Sequence, residues 1–334
     1  MNALALALVL AALPARPALP PAIRAFLAHP QATFHRQRVP RGFRMIVLSN
    51  LAQGCAETKN AGCLDRLVAI ALSPGVRPWK GAAPVKLGRD NLLYTHLLFV
   101  LAEHERVAKD RLHAALIDRL ANHLATAILR DPRRNAPSYA SSSQRWPADV
   151  SAMLAALALV DRIRGTHLHD APAREWFDWL DHHATDRATG LPYSEVTGST
   201  ATSRLPRGCA LSWSVRYLAS FDLPAARDLW RRYRARYRVD FGPFAGLREW
   251  PPGVDRRGDA DSGPILMGVG SAATAFGIGA ARAVGDLTTA GELARTEDGG
   301  AGLAHLARGS LARAADGIVA QSVLFAVEHT PVPR

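Results

Sequence analysis

The sequence predicts an all-α fold, an α/α barrel of about six helical hairpins with its long loops gathered at one mouth. Three observations predict it. Apolar residues recur at helical spacing along most of the chain. Helices that are apolar or small on most faces alternate with amphipathic, charged ones. Short links alternate with long ones rich in Gly and Pro. With 334 residues, 48% of them hydrophobic, and a mean hydropathy of −0.03, the chain can bury a large core.

The first residues, MNALALALVLAALPARPALPPAI, form an uncharged run of Ala, Leu and Val followed by prolines and small residues. This reads as a secretory signal over residues 1–18, with residues 19–334 as a single barrel domain. It carries no Lys or Arg before the apolar run, so an uncleaved anchor or a different start also fits. No later run is long and charge-free enough to span a bilayer, so a periplasmic or secreted protein with no stable span after cleavage is expected.

Periodicity then places helices at about 43–52, 64–73, 91–107, 110–129, 148–164, 172–183, 209–221, 224–238, 264–284, 287–295, 300–314 and 316–328. Leu112, Leu116, Leu120, Leu124 and Ile128 repeat every fourth residue. The helices at 91–107, 148–164, 209–221 and 264–284 read as an inner ring, and their charged partners as an outer one. Gly268, Gly270, Gly277 and Gly279 read as packing devices; a dinucleotide fingerprint is disfavoured because no strand precedes them and the spacing is wrong. Three long links, around 130–147, 184–208 and 239–264, each run from an outer helix into the next inner one. In a ring of antiparallel hairpins all three emerge at the same end.

The formal charge of +12 comes from Arg spread along the chain. In LWRRYRARYRV, Leu229, Trp230, Tyr233 and Tyr237 share one face and the arginines fill the others, as on a solvated outer helix. No aromatic-interleaved groove or reader motif accompanies the charge, so no nucleic-acid partner is expected. Cys55 and Cys63 bracket a polar segment able to close as a disulfide, which suits export; small buried thiols are the other reading.

Carboxylates collect where the inner helices present their N-termini: Asp149, Glu249, Asp259 and Asp261. Pro147 and Pro264 suit first-turn positions and Ser262 suits a cap. Asp149 and Asp261 are the preferred acid and base, one raised in pKa by a partly apolar pocket and one kept ionised by Arg145, Arg207 or Arg248. Capping and loop salt bridges are the bland alternative. Trp146, Tyr193, Trp213 and Trp250 would supply substrate-binding walls, with Arg248, Glu249 and Asp259 beside them. Tyr94, near the start of an inner helix with His96 close by, is a candidate proton donor; His96 as a core polar group is the alternative. Cys209 stands where a helix N-terminus would lower a thiol pKa, or is an inert buried residue. The string His167-Leu168-His169-Asp170 has metal-site spacing but lies in a short link at the opposite end, so no metal is expected.

The strings RWPADVSAMLAALALVDR, DRATGLPYSEV, RGCALSWSVRYLASFD and GDADSGPILMGVGSAATAFGIGAAR together resemble the linalool dehydratase/isomerase-like family over roughly residues 85–290. The resemblance implies a six-hairpin α/α barrel, an architecture shared with many carbohydrate-active enzymes. It also implies an exported protein, an oligomer, and cofactor-free acid/base chemistry that removes water from an alcohol or adds it to an alkene. By that resemblance Tyr94, Asp149 and Cys209 occupy comparable regions, although the matching stretch holds one cysteine where that family's chemistry uses more. Three readings follow. A lyase or isomerase on a small alcohol calls for a closed apolar cavity, and a carbohydrate-active hydrolase or lyase for an open polar cleft with two carboxylates. A binding protein calls for a filled mouth and ordinary carboxylate titration.

Overall fold

The computed structural model describes residues 19–77, 79–81, 86–140, 143–196, 204–306 and 317–333, and of residues 300–306 it describes the backbone alone. The leader reading of residues 1–18 lies outside the described residues, as do residues 307–314 of the helix expected at 300–314. The helices are α1 (Pro21–Ala28), α2 (Pro30–Arg36), α3 (Arg41–Glu57), α4 (Ala61–Ala71), α5 (Asn91–Ala108), α6 (Ala114–Arg130), α7 (Pro147–Arg164), α8 (Asp170–His183), α9 (Gly208–Leu218), α10 (Leu223–Tyr237), α11 (Ser271–Val284), α12 (Leu287–Leu306) and α13 (Ile318–Glu328).

Six of them close a ring. Each of α3, α5, α7, α9, α11 and α13 packs on the next, and α13 returns to α3. Around this ring stand α4, α6, α8, α10, α12 and, against α13, the N-terminal α1. The contrast between the rings is chemical: α5 and α7 are buried along nearly their whole length, whereas α10 buries only Ala226, Leu229, Trp230, Tyr233 and Tyr237. Its arginines face outward and are answered locally, Arg231 and Arg232 by Asp228 and Arg234 by Asp286. The fold is therefore the predicted α/α barrel.

Several expectations are corrected. The last two helices do not form a hairpin: the 287–295 and 300–314 readings merge at their junction into α12, and α13 is an inner helix whose outer partner comes from the start of the chain. The expected 264–284 helix begins only at Ser271, because Ile265–Leu266 (β5) and Val269–Gly270 (β6) form a hairpin first. Met267 and Gly268 both have positive φ, 50° and 81°, the geometry of a two-residue hairpin turn. Pro264 is thus not a first-turn residue. Segment 261–264 still caps the helix, but through backbone carbonyls, with Ala272 N donating to Ser262 O (3.1 Å) and Ser271 N to Pro264 O (3.1 Å). Leu112 lies before α6 and is exposed, while Leu120, Leu124 and Ile128 are buried as the repeat predicts. Two further hairpins were not foreseen, β1 (Thr185–Asp186) with β2 (Leu191–Pro192) and β3 (Arg238–Phe241) with β4 (Phe244–Leu247).

Cys55 and Cys63 are disulfide-bonded across the α3–α4 turn, where Asn60 caps α4 by accepting from Cys63 N (3.1 Å). Closing so short a loop restricts the unfolded chain by about 2–3 kcal/mol. Replacing both cysteines by serine should lower the free energy of unfolding by that amount in urea titrations. Equal stability of the two proteins under oxidising conditions would remove the bridge from the account.

Candidate functional site

The outer-to-inner links do converge at one mouth and are laced together there. Val196 N donates to Arg145 O (3.1 Å), Leu92 N to Ser138 O (3.0 Å), and Gly208 N to Glu249 O (2.8 Å). Between them opens a recess of about 490 Å³ lined by Trp146, Glu195, Arg207, Trp250, Arg257 and Asp261, among others.

The floor of this mouth is built on Glu249, which is fully buried. Its carboxylate accepts from Arg207 Nε (2.8 Å), Cys209 N (3.1 Å) and Cys209 Sγ (3.0 Å). Burial pushes Glu249 up in pKa, against the pull of Arg207. Arg207 reaches on to Asp259 Oδ1 (2.9 Å) and lies over the Trp250 ring at 4.8 Å. Two glycines permit this packing. A side chain at Gly208 would collide with the Arg248 carbonyl, and a Cβ at Gly270 would sit 2.9 Å from that of Glu249. The outer helix α10 fixes the approach to α9, since Tyr237 Oη donates to Pro206 O (2.8 Å) and Tyr233 Oη to Gly208 O (3.0 Å).

Asp259 is held in place. Burial works against its charge, but hydrogen bonds from Arg207, Ser262 N and Asp261 N outweigh it and lower the pKa. Asp261 projects into the recess and has no side-chain hydrogen bond among the described residues; the surrounding protein and then the charge of Asp259 raise its pKa. Asp149 lies beneath, at the third position of α7, accepting a hydrogen bond from the buried Ser138 hydroxyl. Burial, and then the charge of Asp261, push Asp149 up to about 7. The same two carboxylates, after burial itself, raise the Tyr139 hydroxyl, and Tyr139 packs edge-on against Trp146 at 5.9 Å.

The structure thus brings Asp261, Trp146, Trp250 and Asp259 to one mouth, with Asp149 behind it within electrostatic reach of Asp261 and Glu249 as the buried anchor; neither of these two lines the recess. Other expected site residues lie elsewhere. Tyr94 turns toward α6, packing on His123 at 5.3 Å, with its hydroxyl accepting from Gly88 N (2.9 Å). Trp213 packs in the barrel interior against His96, Tyr217 and Phe276, at 5.6, 5.1 and 4.9 Å. Burial and then Arg216 drive His96 down to about 3, so its ring is neutral. Arg248 pairs its backbone with Val269, Tyr193 packs on the core, and neither lines the recess. Arg145 pairs with Asp131 (2.8 Å). Cys209 is a buried thiol raised by burial and then by Glu249, the reverse of the helix-terminus expectation. At the far end His169 Nδ1 contacts Asp161 Oδ2 (2.7 Å), and Asp161 also accepts from Leu168 N and His169 N. There the His167–Asp170 string closes a turn.

Residues the sequence reading missed include Gln144, Ser194, Glu195, Arg256 and Arg257. Their signal was position alone, inside links already identified as mouth loops.

Removing one partner of a buried ion pair costs up to about 3–5 kcal/mol, and without Glu249 the Arg207 guanidinium would keep only the half-exposed Asp259. Glu249→Ala should lose that much in chemical denaturation, whereas Glu249→Gln, which still accepts from Arg207 and Cys209 N, should lose less. Equal losses would show that side-chain volume, not pairing, matters at this position.

No known family matches this sequence, and no curated protein does. Solved structures do share its fold. An inactive variant of the α-1,6-mannanase GH76A of Salegentibacter sp. HEL1_6, with two aspartates replaced by alanine and bound to α-1,6-mannotetrose, aligns with a TM-score of 0.58 at 9% identity, over 86% of this chain and 89% of that one. A family 76 glycoside hydrolase from a bovine Bacteroides thetaiotaomicron strain gives 0.56 at 11% identity, over 86% and 68%. A glycosyl hydrolase of family 88 from Bacteroides vulgatus gives 0.57 at 11% identity, over 92% and 97%. At these identities the likeness is one of fold, and it assigns the chain the six-hairpin α/α-barrel architecture of those hydrolases.

Proposed function

We propose that this protein is a glycoside hydrolase acting on an oligosaccharide at the open mouth of the barrel. The observation that carries the reading is the character of the recess. It is open and lined mainly by polar and charged side chains with two tryptophans and Asp261, and Asp149 behind it is pushed up to about 7 by burial and by the charge of Asp261. Trp146 and Trp250 offer faces for sugar rings. Asp149 acts as the general acid, giving its proton to the glycosidic oxygen as the C–O bond breaks. Asp261 is the second carboxylate, accepting a proton from the attacking water or attacking the anomeric carbon itself. The fold neighbours that bind α-1,6-mannotetrose and α-1,6-mannotriose make α-mannosides the first substrates to try.

A dehydratase or isomerase of the linalool type would need a closed apolar pocket around the same acid. The polar, open recess does not favour it. Export to the periplasm or medium suits a glycan-degrading enzyme and belongs to the same proposal, as do a single domain over residues 19–334 and a cleaved leader before it. Among the described residues no helix is long and apolar enough to cross a membrane.

Turnover should be measured on α-1,6-mannooligosaccharides and a wider glycan panel, beside tertiary and allylic alcohols. Hydrolysis of a glycan is expected, with Asp149→Asn and Asp261→Asn each reducing kcat by about 10²–10⁴-fold. Because the acid must be protonated, kcat/KM should fall as pH rises through about 7. Dehydration of an alcohol with no glycan cleavage would overturn the proposal.

A further inference from the structure

A second cavity, of about 360 Å³, lies at the opposite end of the barrel, where the inner helices end. The aromatic cluster of His96, Trp213 and Phe276 lies between it and the recess, and Phe99 and Tyr217 form its inner wall. Its charged residues are Glu57, Glu103, Arg106, Arg162, Arg216 and His329. Arg106 satisfies both carboxylates, Glu103 at 2.6 Å and Glu57 at 2.7 Å. His329 Nδ1 is 2.7 Å from the Phe325 carbonyl. Two guanidiniums remain with no ion pair among the described residues. Arg162 donates to Ser220 O (2.9 Å). Arg216, only 7% exposed, donates from Nε to Thr330 Oγ1 (3.2 Å) and from Nη2 to Gln53 Oε1 (2.9 Å). Its Nη1 is buried and makes no hydrogen bond among the described residues, with the Tyr217 ring 5.3 Å from the guanidinium carbon.

A buried guanidinium with no directly paired carboxylate is costly; burial lowers the pKa of Arg216, and its interactions with Tyr217 and the charge of Glu103 oppose this only in part. The carbonyls at the helix C-termini offset part of that cost. They do not supply an acceptor for Nη1, and nothing in helix-end compensation requires a cavity. We propose that this lower cavity is a binding site for a small oxyanion, a carboxylate or phosphate group received by Arg216 and Arg162 from the neighbouring inner helices α9 and α7. Arg216 would supply the Nη1 donor and Arg162, nearer the opening, a second charge; neutral acceptors hold Nε and Nη2 of Arg216 and Nη1 of Arg162. The cavity volume admits a monosaccharide-sized acid as readily as a free phosphate. The site is separate from the recess and independent of the activity proposed there.

Isothermal titration of the intact protein with inorganic phosphate and, separately, with gluconate tests this and distinguishes the two sources. Saturable binding of at least one is expected, with Arg216→Met and Arg162→Gln each weakening it at least tenfold while Asp261→Asn leaves it unchanged. Arg162 is exposed and its replacement should leave the fold intact, so the test survives if Arg216→Met fails to fold. No saturable binding of either anion, or equal affinity in Arg162→Gln, would overturn the proposal and leave the arginines as partners of the helix ends.

Discussion

The mouth of this barrel depends on one buried ion pair. Glu249 has no exposed surface, and its carboxylate ties together three segments far apart in sequence: the link into α9 through Arg207 and Cys209, the strand exit at Glu249 itself, and the 259–263 turn through Arg207 and Asp259. Such a pair contributes little net stability, because desolvation consumes most of the Coulombic gain. Its effect is positional. With Arg207 pinned between two carboxylates, Asp259 is fixed in its turn, and Asp261 of the same turn projects into the recess.

That arrangement also separates the two acids. Asp149 stands at a helix N-terminus, where the dipole alone would favour its ionised form. Burial and the neighbouring charge of Asp261 prevail, since among the described residues one hydrogen bond, from Ser138, supports the anion. Asp259 shows the opposite balance, with Arg207 and two backbone N–H groups overcoming its burial. Two aspartates two residues apart in sequence therefore have different tasks because one is bonded and the other is not.

The ring was legible in the sequence because burial on all sides leaves an unmistakable residue pattern: Leu154, Leu157 and Val160 on α7 have no polar face to obscure the period. The convergence of the long links followed from topology alone. What escaped was decided by backbone geometry. GPILMGVGS reads as the start of a Gly-rich helix, yet positive φ at Met267 and Gly268 turns it into a hairpin, which brings Gly270 against Glu249. The direction of a side chain around its helix was equally hidden: Tyr94 and Trp213 lie on inner helices as expected, but one faces α6 and the other the barrel interior. Cys209 shows a third limit. Proximity to a helix N-terminus was visible, but the carboxylate of Glu249, forty residues away, reverses the sign of its effect on the thiol.

The central claim is that burial and the charge of Asp261 raise one aspartic acid at the mouth, Asp149, to about 7. Carbon-13 NMR of the protein labelled at its aspartate carboxyls measures this directly. The account predicts one carboxyl resonance titrating near pH 7, missing from Asp149→Asn and shifted to lower pH in Asp261→Asn. Titration of every aspartate in the ordinary carboxylate range would contradict it.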